Sequence, residues 1–117
     1  MTANKDDKEY LQQILSWCTQ VEEAHAEFNR SLDTFNNTSV YRNALSMCLQ
    51  QIGEEANHLS EEFKSDHPEL PWAKIIGMRN RFAHVYGTMD TEIIWDTATY
   101  DVPVIERFCK KQIDSNS

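Results

Sequence analysis

Ser39-Val40-Tyr41-Arg42-Asn43-Ala44-Leu45-Ser46-Met47-Cys48-Leu49-Gln50-Gln51-Ile52-Gly53-Glu54-Glu55-Ala56-Asn57-His58-Leu59-Ser60-Glu61-Glu62-Phe63-Lys64 is the stretch whose reading decides the fold. Within it Tyr41, Leu45, Cys48, Ile52, Ala56, Leu59 and Phe63 recur at steps of three and four, which puts them on one stripe of an α-helix. The stripe is close to a heptad seam. It predicts one long helix, about 39–64, packed antiparallel in a bundle or paired between subunits. Val40, Ala44, Met47 and Leu49 widen the apolar face enough to meet two neighbours. Asn36-Asn37-Thr38 stands before it, and such side chains accept from the free N–H groups of a first helical turn.

The same spacing extends outward. Leu11, Ile14, Leu15, Cys18, Val21, His25 and Phe28 predict a first helix over about 7–28. Residues 29–38 read as a polar joint, with a helical turn around 31–35. Ser65-Asp66-His67-Pro68-Glu69-Leu70-Pro71 ends the long helix, and Pro71 suits the first turn of the next. That third helix, about 71–86, buries Trp72, Ile75, Ile76, Phe82 and Ala83; Gly77 offers a place for another helix to approach, and Gly87 stops it. Asp90 reads as the N-cap of a fourth helix over about 91–100. Asp101-Val102-Pro103 predicts a bend and a fresh start, with a last helix to about Ile113. No segment alternates as a strand does. The expected fold is all-α: an up-and-down bundle of four long helices plus a short C-terminal one. It forms a single domain over 1–117, with loose ends at about 1–6 and 114–117.

Composition narrows the class. A chain of 117 residues has room for one core. With only three Gly and three Pro, breakers are few and long helices are expected. No run of about 18 apolar residues reads as a membrane span, and Met1-Thr2-Ala3-Asn4-Lys5-Asp6-Asp7-Lys8 lacks the apolar core of a signal peptide. Cys18, Cys48 and Cys109 are odd in number, far apart and set in apolar patterns, so they read as buried reduced thiols of a cytoplasmic protein. No Cys or His pair has metal-ligand spacing, and neither metal nor cofactor is expected. A net charge of −8 argues against a surface that attracts nucleic acid everywhere, though not against a local basic cleft. From 72 to 84 the charged residues are Lys74, Arg79 and Arg81, with no carboxylate among them.

That basic interval leads into Arg79-Asn80-Arg81-Phe82-Ala83-His84-Val85-Tyr86, where the chemistry concentrates. Guanidinium groups grip phosphate oxygens with a planar fork, and histidine carries a proton near neutral pH. On a helix Asn80 and His84, four apart, are neighbours, so Asn80 is placed to fix the tautomer of His84. Arg79 and His84, five apart, diverge by roughly 140° and about 7.5 Å along the axis. One copy is therefore a sparse site, whereas two copies across a two-fold axis line a shared cleft. For RNA, a base takes the 2′-hydroxyl proton, a cation stabilises charge on the phosphoryl oxygens and an acid protonates the leaving 5′-oxygen. His84 fits the base or acid and Arg79 the clamp, while DNA lacks the reacting hydroxyl.

Arg-x4-His-x-Tyr late in a small helical chain resembles the HepT-like ribonuclease toxins of the HEPN superfamily. The segments Ile52-Gly53-Glu54-Glu55-Ala56, Pro71-Trp72-Ala73-Lys74-Ile75-Ile76-Gly77-Met78-Arg79-Asn80, Thr91-Glu92-Ile93-Ile94-Trp95-Asp96-Thr97 and Asp101-Val102-Pro103 are similar to that family's in the same order. The resemblance implies a homodimeric, metal-independent endoribonuclease with Arg79 and His84 as catalytic residues and Asn80 in support. It also implies the toxin of a type VII toxin–antitoxin pair whose partner is a minimal nucleotidyltransferase able to transfer AMP to Tyr86. Such a modification sets bulk and negative charge beside His84 and Arg79. Arg81 and Lys74 are candidate RNA contacts, and tRNA and mRNA are the candidate substrates.

Spacing alone reads these residues more blandly. Arg79 then snorkels or pairs with a glutamate from another helix, His84 is a helix-end residue favoured by the dipole, and Tyr86 is a core or interface aromatic. The resemblance turns the first two toward catalysis. Two rival functions stay open: a non-catalytic HEPN module that docks or assists the nucleotidyltransferase, and a purely structural helical dimer. His25, His58 and His67 read as structural or solvated, Trp17, Trp72 and Trp95 as core.

Overall fold

Helix α1, Lys5–Glu27, opens where Asn4 accepts a hydrogen bond from the Asp7 N–H at 2.7 Å. This computed structural model describes residues 4–81 and 91–115. Leu11, Ile14, Cys18, Val21 and His25 form the buried stripe of α1, as their spacing predicts. The helix ends in a left-handed turn, Asn29 at φ 58 and Arg30 at φ 51. Asparagine tolerates that conformation well, arginine less so. Arg30 is held there from two sides, by Glu22 at 3.0 Å and by the Thr99 carbonyl at 3.2 Å. The predicted turn in the joint is a short helix, α2, Leu32–Asn37, capped by Ser31. Arg42 donates to the Phe35 and Asn36 carbonyls at its end, 2.9 Å each.

The long second helix is shorter than its periodicity predicts. Helix α3 spans Ser39–Asn57, and the chain restarts as α4, Glu61–Asp66. The break has a tertiary cause. Asp7, buried at the start of α1, accepts from both the Ser60 N–H and the Ser60 hydroxyl at 2.7 Å. Ser60 in turn accepts from the Phe63 N–H as the N-cap of α4. Leu59 and Phe63 still reach the core, so the apolar rhythm continues through an interrupted backbone. Tyr41, Leu45, Cys48, Ile52 and Ala56 are all enclosed within the chain, so the seam is used inside the protomer and is not a free pairing surface. Helix α3 does meet two neighbours, α1 and α5, Trp72–Arg81, while α1 also packs on the last helix. Of the residues expected to broaden its buried face Leu49 is buried, but Val40 and Met47 point to solvent.

Helix α6, Thr91–Asp96, passes without a break through a π-helical turn, Thr97–Asp101, into α7, Val102–Ser115. The fresh start predicted after Asp101 is there, α7 beginning at Val102, but a π turn rather than a loop leads into it and carries the backbone past Pro103. Proline has no N–H for the carbonyl four residues back, Thr99. The Val102 N–H bonds Thr97, one residue further than in an α-helix, and Arg30 supplies the donor that Thr99 lacks.

Two aromatic clusters close the ends of the core. At one, Phe28 stacks on Tyr41 with centroids 4.6 Å apart, and Phe35 and His25 lean on Trp95. At the other, Phe63, His67, Trp72 and Phe108 meet, and the Trp72 indole donates to the His67 carbonyl at 2.8 Å. His25 sits fully inside, its Nδ1 bonded to the Tyr41 hydroxyl and its Nε2 3.3 Å from the Thr99 hydroxyl. Burial holds its pKa below the ordinary histidine value, the Arg30 charge adding to the effect. The protein is all-helical, with no strand among the described residues, and none of its described helices is long and apolar enough to cross a membrane.

Candidate active site

Gly53 brings α3 and α5 together. A Cβ built on Gly53 would lie 2.5 Å from the Arg79 nitrogen, 2.9 Å from the Ile75 carbonyl oxygen and 3.1 Å from the Met78 carbonyl carbon. All three are backbone atoms, so only a residue without a Cβ lets these helices cross so closely. Gly77, the glycine the sequence suggests for a close approach, is exposed, and a Cβ there would meet nothing within 4 Å. The close contact is on the opposite helix because Ile75, Met78 and Arg79, not Gly77, face α3.

The crossing fixes Arg79. Its backbone is pinned on α3, its Nε is buried with no hydrogen-bond partner, and its side chain keeps 36% of its surface exposed. The stem is enclosed and the fork reaches out. An Nη nitrogen lies 3.8 Å from Glu54, the residue after Gly53: an ion pair, longer than a hydrogen bond. The other Glu54 oxygen is 3.5 Å from the Nε2 of His58, one turn on, and the His58 ring stacks on Tyr10 at 5.2 Å. Arg79 thus makes the cross-helix glutamate contact that spacing alone suggests, as an ion pair and not as a hydrogen bond.

The remaining predicted residues fall in different places. Asn80 is exposed on α5, and Arg81 ends that helix. Lys74 lies on the α7 side of α5, with its amine 3.8 Å from Asp101. It stands over a shallow apolar groove lined by Leu70, Ile75, Met78, Val104 and Ile105. His84 and Tyr86 lie outside the described residues, as do Phe82, Ala83, the Gly87 stop and the Asp90 cap. The interval that carries only positive charge in sequence is countered in space, by Glu54 beside Arg79 and by Asp101 beside Lys74. Sequence reading places neither carboxylate there. The one available signal is that Glu54 immediately follows a glycine on an apolar helix face.

The all-helical fold and an arginine locked at a helix crossing ahead of His84 and Tyr86 agree with the family the motif suggests. Residues 9–112 match the family model described as ribonuclease HepT-like, and the chain belongs to that family. Among similar proteins is a "Putative RNase" of Caldanaerobacter subterraneus subsp. tengcongensis, 32% identical over 107 residues, 92% of this chain and 94% of that one. A "Putative RNase" of Methanocaldococcus jannaschii is 29% identical over 111 residues, covering 93% and 92%. The "Probable ribonuclease HepT" of Thermococcus cleftensis is 29% identical over 104 residues, covering 87% and 91%. No solved structure matches the chain.

Proposed function

We propose that this protein is a metal-independent endoribonuclease, the toxin of a toxin–antitoxin pair, acting in the cytoplasm as a homodimer with RNA in a cleft between the protomers. The observation that carries this reading is Arg79. It is the first residue of the family motif, its backbone is held by Gly53 and its guanidinium is part-exposed. Arg79 stabilises charge on the phosphoryl oxygens, and His84 moves the proton of the 2′-hydroxyl or of the leaving 5′-oxygen. Asn80 orients His84, while Arg81 and Lys74 contact the RNA backbone. Val40 and Met47, seven apart on α3, are 65% and 49% exposed. They offer the second copy an outward face distinct from the seam buried inside the protomer. The antitoxin is a nucleotidyltransferase that places AMP on Tyr86, and the acidic surface suits a protein partner better than free RNA.

Cleavage of total RNA and of tRNA by the purified protein in EDTA tests the proposal, with Arg79→Ala and His84→Ala alongside. Cleavage that both substitutions abolish is expected, since loss of an acid–base group removes about 10²–10⁴-fold in rate. A dimeric wild-type protein that leaves all RNA intact refutes the nuclease and leaves a docking module for the nucleotidyltransferase.

A further inference from the structure

We propose that Glu54 is the positioning residue for Arg79: it takes one edge of the guanidinium fork and so turns the other toward an RNA phosphate. The inference rests on the ribonuclease reading above. Three features on the two helices carry it.

The backbone around the pair has almost no freedom. Gly53 lies against the Arg79 nitrogen more closely than any Cβ would allow, so Glu54 leaves α3 at a fixed place beside α5. The Arg79 side chain has little freedom near its root, because Nε is buried, yet Nε finds no hydrogen-bond partner to set the fork's rotation. The fork can still be oriented through its Nη end, and among the described residues Glu54 is the carboxylate that stands there.

The carboxylate is itself tethered. One oxygen faces Arg79 at 3.8 Å and the other faces His58 at 3.5 Å, with His58 stacked against Tyr10 of α1. Three helices therefore fix the direction from which Glu54 meets the guanidinium. A fork presents two donor edges suited to planar oxyanions. With one edge turned to Glu54, the other is presented in advance, which removes an ordering step from the reaction.

A positioning carboxylate and a merely structural one make different predictions. Glu54 brings negative charge next to a phosphate-binding group, so it repels RNA while it aligns Arg79. Glu54→Gln keeps the shape and removes the charge. Turnover then falls while the Michaelis constant for RNA stays level or drops. Loss of a structural contact would instead lower stability and leave that split unmade.

The test combines steady-state cleavage of a short RNA by wild type, Glu54→Gln and Glu54→Asp with the ¹⁵N–¹H signal of Arg79 Nε in RNA-free protein, assigned by its loss in Arg79→Lys. For Glu54→Gln a fall in kcat of up to about 10²-fold is expected, with KM not raised, an unchanged unfolding midpoint and a displaced Arg79 signal. Glu54→Asp recovers part of the rate. Wild-type kcat in Glu54→Gln, a raised KM, or an Arg79 signal that stays in place overturns the positioning role. An inactive wild type refutes the ribonuclease reading itself, which an active wild type with an indifferent Glu54→Gln does not.

Discussion

Replacing Gly53 by alanine tests whether the α3–α5 crossing is as tight as the geometry states. The new Cβ would sit 2.5 Å from the Arg79 nitrogen, against the 3.4–4 Å of ordinary contact, and its other close neighbours are also backbone. No side chain can rotate away, so α5 must lift by about 1 Å, and such overpacking costs about 1–3 kcal/mol. Alanine returns about 0.5–1 kcal/mol through its better helix propensity. The net expectation is a loss of about 1–2 kcal/mol, read as a lower urea midpoint with an unchanged slope. Gly77→Ala is the internal control. That position is helical and exposed, and nothing lies within 4 Å of the new atom, so propensity alone acts and stability rises by about 0.5–1 kcal/mol. The same substitution, 24 residues apart on two packed helices, thus has opposite signs. A Gly53→Ala protein as stable as wild type refutes the reasoning. Because the displaced backbone carries Arg79, the variant should also lose RNA cleavage out of proportion to its stability.

Other predictions follow from buried polar groups. Asp7→Ala strips the Ser60 N–H and hydroxyl of their buried acceptor and should cost about 1–3 kcal/mol in denaturant unfolding; Asp6→Ala, exposed, is the comparison. His25 is buried and holds its pKa below the unfolded value of about 6.5, so the unfolded chain binds its proton first. Stability is then full above about pH 6.5 and is lost as pH falls through the lower folded value. A His25→Phe variant followed by thermal unfolding across that range should lose this part of the acid dependence. Burial pushes the thiols of Cys48 up to about 11 and Cys109 up to about 12, and raises Cys18 as well. Thiol reagents at pH 8 should therefore label the native protein only as fast as it opens, and all three cysteines at once in denaturant; rapid native labelling would contradict the packing.

Apolar spacing at three and four residues is a local property of one helix, and it was enough to find the buried stripes of α1 and α3 and the all-helical class. The breaks between elements were less legible because their causes lie elsewhere in the chain. The long helix stops at Asn57 because a carboxylate 53 residues away in sequence fixes Ser60, and at Pro103 the helical backbone continues through a π turn while Arg30, just past the far end of α1, donates to the Thr99 carbonyl. At the site the division is the same. The sequence by itself supplied the candidates, since Arg79, Asn80, His84 and Tyr86 are picked out by residue type, interval and the family resemblance. Only the tertiary structure decided that Gly53 rather than Gly77 makes the crossing, and that Glu54 and Asp101 stand against the basic residues of α5. Periodicity says which face of a helix is buried. It does not say how near the partner's backbone comes, and that distance selects the neighbours of a charge.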